Sequence, residues 1–236
     1  MKLDIKSFFM SIDQNILYSI VLELINKHKK PDAWKADMAR LAKIIIFHEP
    51  NNNYLWKGDL KLKKFIPSRK SLLNHPKEKG LPIGNYSSQF FANLYLNKFD
   101  HFIKRELKCQ HYLRYVDDFI FLSKNIKKLK SYRNAIKSFL KINLQLSIND
   151  KKTIIQPVIR GIDFLGYYLK SNKIYTRRKV YKRYKNKLFN AAIGLNELPW
   201  SKLYAMVASH NSHNGYFKIM RKTKFDKLSD SSRAIG

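Results

Sequence analysis

The sequence predicts an α+β fold, on two observations. Short apolar runs rich in β-forming residues alternate irregularly with longer stretches whose apolar residues recur at helical spacing, without the regular strand–helix order of a doubly wound sheet. The second observation is Tyr115-Val116-Asp117-Asp118, which sits between the apolar runs 111–116 and 119–122. Two such runs joined by two residues describe an antiparallel hairpin with both carboxylates at its tip. Asp-Asp is a poor hairpin turn, because neither residue takes a positive φ as readily as Gly or Asn. Two adjacent negative charges also repel, so a compensating cation is expected there, a divalent metal most simply.

The remaining elements follow in order. Residues 2–10 alternate loosely through Leu3, Ile5 and Phe8 and read as a strand, with Asp4 among apolar neighbours. Asp13 is placed to cap a helix whose apolar face is Ile16, Leu17, Ile20, Val21 and Leu24. A second helix, 33–47, follows Pro31, with Asp32 at the capping position. Residues 48–80 read as loop, broken by Asn51-Asn52-Asn53, Gly58, Pro67 and Pro76. A rigid turn at 80–85 leads, through Ser87 or Ser88 as cap, into a helix to about Leu107 with Phe91, Tyr95, Phe99, Phe102 and Ile103 on one face. After the hairpin, Leu129, Tyr132, Ile136, Phe139 and Leu140 mark another amphipathic helix. Residues 153–155 and 162–169 read as strands, the second turned back by Ser171-Asn172 into Ile174-Tyr175, and 198–236 reads as helix that then frays.

Charge narrows the function. The chain of 236 residues is 44% hydrophobic, enough for a sizeable core in one domain or two subdomains. Lys and Arg number 47 against 17 acids, a formal net charge of +30 spread along the chain. A globular protein bears such self-repulsion when its partner is a polyanion, and nucleic acid fits best because each neutralised phosphate releases counterions. Between positions 170 and 187 there are nine Lys or Arg and no acid, interleaved with Tyr175, Tyr181 and Tyr184. Within it Lys170, Arg177, Arg178, Lys179, Lys182 and Arg183 are expected to grip phosphates, while aromatics stack on bases. No apolar run approaches the ~18 residues that span a bilayer, and Asp4 and Lys6 interrupt any leader, so no membrane partner is expected. With Cys109 alone, neither an internal disulfide nor a multi-cysteine zinc site can form, and a cytoplasmic setting is the default.

Taken in order, these segments resemble the reverse transcriptases. Lys2-Leu3-Asp4-Ile5-Lys6-Ser7-Phe8-Phe9 is similar to their first palm motif, and residues 80–93 to the turn and helix that follow. Tyr115 to Asp118 is similar to their Tyr-x-Asp-Asp box, and Asn149 to Thr153 and Phe164-Leu165-Gly166 to their last two palm motifs. Leu81-Pro82-Ile83-Gly84-Asn85-Tyr86-Ser87-Ser88-Gln89 carries Ile and a Ser-Gln pair where intron-type and retroviral enzymes usually have Gln and a terminal Pro. That variant resembles the reverse transcriptases of diversity-generating retroelements, as do Ile66-Pro67-Ser68-Arg69-Lys70-Ser71-Leu72 and Phe91-Ala92-Asn93-Leu94-Tyr95-Leu96-Asn97.

The resemblance implies a right-hand polymerase: an antiparallel palm over residues 1–170, partial fingers elements at about 30–80, and a basic helical thumb and tail over 171–236. The sequence starts three residues ahead of Asp4, so the fingers are expected to be incomplete. It also implies an RNA-directed DNA polymerase that copies a template-repeat RNA from a cDNA primer with deoxynucleoside triphosphates and misincorporates at adenines. An accessory variability determinant protein is the implied partner and two Mg²⁺ ions are the implied cofactor. Asp4 and Asp117 would bridge both ions, and Asp118 would play a lesser part, since adjacent side chains on a strand diverge. Phe9 would abut the sugar and exclude a ribose 2′-hydroxyl, Gly84 and Gln89 would line the pocket beside the templating base with Ile83, and Lys152 would approach the triphosphate. Phe164, Leu165 and Gly166 would form the primer grip. A group II intron- or retron-type enzyme, or a non-catalytic RNA-binding remnant, stands as the alternative.

Overall fold

The chain divides into two units, Met1–Ile155 and Gln156–Gly236. The structure, a computed structural model, describes residues 1–49, 52, 55–67, 71, 76–193, 204–205, 207–212 and 215.

In the first unit, β1 (Lys2–Asp4) and β2 (His111–Tyr115) flank β3 (Asp118–Leu122), all antiparallel. The register aligns Asp4 and Tyr115 on either side of Asp118. Because side chains alternate across a strand, Leu3, Phe119 and Phe121 go into the core while Lys2, Asp4 and Asp118 share the opposite face. The expected strand over 2–10 stops at Asp4. Ser7 takes φ +48° and its carbonyl accepts from Met10 and Ser11, which opens the short helix α1 (Phe8–Ser11). The outer edge of β1 is covered by the 147–154 segment. Lys2 and Ile154 exchange backbone bonds at 2.8 and 3.0 Å, and the Asn149 amide donates to the Asp4 carbonyl at 2.7 Å. The strand expected at 153–155 is therefore one bridge at Ile154.

Helix α2 (Gln14–Lys27) begins where the Asp13 carboxylate accepts from the Asn15 and Ile16 amides, both at 3.0 Å, a cap worth about 1 kcal/mol. It buries Leu17, Ile20, Val21 and Ile25 and leaves Leu24 exposed. In α3 (Asp32–Ile46), Asp32 is the first helical residue and Pro31 holds the cap position, so the cap expected from Asp32 is not made. Asn85, not Ser87 or Ser88, precedes α4 (Tyr86–Tyr95), and Ser88 is buried. The single helix expected to about Leu107 is broken at Leu96 into α4, α5 (Asn97–His101) and a π-helical turn, Phe102–Glu106. The break keeps Phe91, Tyr95, Phe99 and Ile103 all buried, with Phe99 edge-on to Phe119 at 5.2 Å. Helix α6 (Ile126–Leu144), capped by the Asn125 side chain, buries Leu129, Tyr132, Ile136 and Leu140. The buried Tyr95 hydroxyl donates to the Leu144 carbonyl at 2.8 Å and accepts from the Asp13 amide at 3.3 Å, tying the end of α6 to the start of α2.

The second unit holds an antiparallel sheet, β4 (Ile162–Phe164), β5 (Tyr167–Leu169) and β6 (Ile174–Thr176) in that order, then α7 (Arg178–Ile193). The strand expected over 162–169 is a hairpin, because Leu165 at φ +48° and Gly166 at φ +86° form a two-residue turn of the kind hairpins favour. The turn back after β5 closes with the Lys170 amide on the Lys173 carbonyl at 2.9 Å. The domain boundary expected at 170 lies inside this unit, since β4 and β5 pair with β6. Most of the 198–236 helix expectation, and most of the Ile66–Leu72 stretch, lies outside the described residues. Among the described residues no helix is long and apolar enough to cross a membrane.

Candidate active site

Asp4 and Asp117, from distant parts of the first unit, face one cleft of about 790 Å³, lined also by Phe9, Ile83, Asn149, Asp150 and Lys152. Asp4 ends β1, nearly buried at 8% exposure, because β1 is paired on both edges. Its oxygens are engaged by Asn149 Nδ2 at 3.1 Å and by Lys152 Nζ at 3.2 and 3.3 Å. Both partners come from the turn at 149–153, which Thr153 Oγ1 closes on the Asn149 carbonyl at 2.9 Å.

Asp117 occupies the hairpin turn with Val116, since the register already pairs Tyr115 with Asp118. The expected Asp117-Asp118 tip is thus shifted by one residue, and the positive φ it demands falls on Val116 at +54°. Asp118 is the first residue of β3 and pairs with Lys2 at 3.3 Å, off the cleft. Burial pushes the Asp117 carboxyl above the ordinary carboxylate range, against a hydrogen bond from its own amide. The charges of Asp4 and Asp118 push it further and Lys152 opposes them.

Ile83 is brought to the cleft by backbone bonds to α1 and to the residue that ends it. The Leu81 amide donates to the Phe9 carbonyl and the Gly80 amide to the Ile12 carbonyl, both at 2.8 Å, and Leu81 is buried. Ile83 itself is 65% exposed, an aliphatic side chain held out into a polar cleft. Gly84 follows at φ +106°, a conformation an L side chain rarely adopts. Neither Gly84 nor Gln89, the latter on exposed α4 surface, lines the cleft as expected. Phe164, Leu165 and Gly166 belong to the second unit, at and before its first turn. Lys170, Arg178, Lys179, Lys182 and Arg183 are exposed there, and Arg177 donates to Asp163 at 2.8 Å.

The donor set suits a hard divalent cation. Its carboxylates offer oxygen ligands, and that of Asp117 is held in an environment that resists its charge, which a cation would relieve. Among the described residues, no three acidic, histidine or cysteine side chains gather at metal-binding spacing. Lys2 holds Asp118, and Lys152 with Asn149 holds Asp4, so of the three carboxylates expected to converge Asp4 and Asp117 line the cleft and Asp118 does not. Sequence reasoning did not single out Lys2 or Asn149 as contacts of these carboxylates. Lys2 was available from alternation, since it lies two residues from Asp4 and so on the same face.

A small antiparallel sheet backed by helices, with one carboxylate on an outer strand and one at the adjoining hairpin turn, is the palm of a nucleic-acid polymerase. Residues 1–169 match the family model "Reverse transcriptase (RNA-dependent DNA polymerase)", and the chain belongs to that family. It is also 37% identical over 67 residues to the "Putative COX1/OXI3 intron 2 protein" of Saccharomyces cerevisiae, a stretch that covers 28% of this chain and 8% of that protein.

Proposed function

We propose that this chain is an RNA-directed DNA polymerase that extends a cDNA primer on an RNA template, and that within its family it serves a diversity-generating retroelement. The observation that supports polymerisation most is the meeting of Asp4 and Asp117 at one cleft. In this reading Asp4 and Asp117 hold two Mg²⁺ ions, with Asp118 an auxiliary ligand once released by Lys2. Bound there, magnesium lowers the pKa of the primer 3′-hydroxyl and neutralises the departing pyrophosphate. Lys152, displaced from Asp4, is within its own reach of a triphosphate in the same cleft. Phe9 takes the sugar edge of the nucleotide and Ile83 the base-pair side, with Gly84 setting the backbone just after Ile83. In the second unit, the Phe164–Gly166 turn serves as primer grip, and the exposed cations of 170–183 hold phosphates. The work is cytoplasmic and shared with an accessory variability determinant protein.

Ile83 supports the retroelement assignment. An aliphatic side chain cannot hydrogen-bond a nascent base pair, and the loss of one such contact removes on the order of 1 kcal/mol of discrimination, roughly a fewfold in selectivity. Accordingly Ile83→Gln lowers misincorporation opposite template adenine by that factor in single-nucleotide primer extension. An error spectrum identical to wild type would count against the assignment. The likeness to the yeast intron protein favours a second reading, a group II intron-type enzyme. Adenine-selective errors in extension on a template-repeat RNA support the first reading, and uniform fidelity with a preference for intron RNA supports the second. RNA binding without metal-dependent extension would leave only a non-catalytic remnant.

A further inference from the structure

The core face of β2 carries a guanidinium. Arg114 stands opposite Phe119 in the register, on the side where Tyr112 packs against Phe119 and Phe121, and its side chain is only 15% exposed. Every nitrogen of its fork is used. Nε donates to the two Asp100 oxygens at 2.8 and 3.1 Å, and Nη2 completes a bidentate pair with the same carboxylate. Nη1 donates to Asn93 Oδ1 at 3.0 Å and to the Val116 carbonyl at 3.3 Å. Asp100 is fixed in turn by the Tyr112 hydroxyl, which donates to it at 2.7 Å. The anchor points lie on α4 (Asn93) and α5 (Asp100), so the fork links two helices beneath the sheet to the carbonyl of one turn residue.

That residue is the strained one. Val116 is β-branched yet sits at φ +54°, a conformation such a side chain rarely adopts. The next residue is Asp117, whose carboxylate reaches the cleft. Left to its own preference, Val116 would return to negative φ and re-aim Asp117.

We propose that Arg114, seated on Asp100 and Asn93, is a positioning residue that holds Val116 in the left-handed conformation and thereby aims Asp117 at Asp4. The proposal rests on the polymerase reading above. Arginine is required rather than lysine, because one ammonium cannot serve Asp100, Asn93 and the Val116 carbonyl together.

The test is Mn²⁺ binding to the full chain, read by electron paramagnetic resonance with the metal alone, beside thermal melting of each variant. Arg114→Lys keeps the charge next to Asp100 and so keeps the fold. It is expected to weaken Mn²⁺ about tenfold, the low end for losing an outer partner of a metal ligand, and Arg114→Gln at least as much. Adding Val116→Gly, which accepts positive φ without strain, is expected to recover most of the lost affinity in either background. A residue that merely stabilised the fold would not be rescued by a change in the turn. Unchanged Mn²⁺ affinity in Arg114→Lys, or a loss that Val116→Gly does not recover, overturns the proposal while leaving the polymerase reading in place. Failure of wild type to bind Mn²⁺ in a manner sensitive to Asp117→Asn overturns both.

Discussion

Asp117→Asn slows metal-dependent primer extension roughly a thousandfold and at the same time raises the melting temperature of the metal-free protein at neutral pH. The two effects share one cause. Asp117 is partly buried beside Asp4 and Asp118, so its carboxyl is harder to ionise folded than unfolded. Because the folded state binds the proton more tightly, stability falls as pH climbs from the ordinary aspartate value of about 3.9 to the raised folded value, and the whole cost persists above it. Asparagine removes that cost and with it the ligand. Each kcal/mol relieved is worth roughly 2–4 °C in a chain of this size. Loss of metal-borne charge stabilisation, taken as about 4 kcal/mol, slows extension roughly a thousandfold. The melting difference between variant and wild type should close at acid pH, below the ordinary aspartate value. A variant that melts below wild type at neutral pH would contradict the electrostatic account, and one that extends primers at the wild-type rate would contradict the catalytic one.

Phe9→Val is the second large effect, and it is expected in selectivity rather than rate. Phe9 is a partly buried residue of the short helix α1, packed edge-on against Phe8 at 5.5 Å and lining the cleft that Asp4 and Asp117 share. Ser7 sets this position, since its left-handed backbone opens α1 and brings Phe9 to the cleft. A ring held there excludes one extra hydroxyl by volume, and valine leaves room for it. Ribonucleotide incorporation relative to deoxyribonucleotide should rise on the order of 10–100-fold, the range a steric pocket contact commands. Competing single-nucleotide extensions measure it, and an unchanged ratio would move Phe9 back to a packing role.

Local pattern in the sequence carried the helices and strands far better than their ends. Helical spacing was sufficient for α2 and α6, because each presents an apolar face, and richness in β-forming residues was sufficient for both hairpin strands. The hairpin turn was misplaced by one residue because a β-branched residue is not expected at positive φ, and the bond from Arg114 to the Val116 carbonyl is visible only in the folded structure. The helix over 86–106 breaks without a Gly or Pro to announce it, and the strand over 162–169 turns at Leu165, whose side chain gives no such warning. Gly166 beside it was the legible half of that turn.

The site was legible in a different way. Nothing in spacing says that Asp4 and Asp117 meet. That followed from family resemblance, and the pairing of β1 with β3 supplies the contact. Arg114 and Asp100 lie on separate elements and carry opposite charges in a chain full of charge, so neither stood out. Only the packed structure shows that this pair is enclosed while other ion pairs, such as Lys27 with Glu23, sit in solvent.

The direct test is anomalous diffraction at the manganese edge from crystals grown with Mn²⁺, a primer on template RNA and a non-hydrolysable deoxynucleotide. The account predicts two peaks between the carboxylates of Asp4 and Asp117, with Lys152 withdrawn from Asp4. Manganese bound elsewhere, with Lys152 still on Asp4, would contradict it.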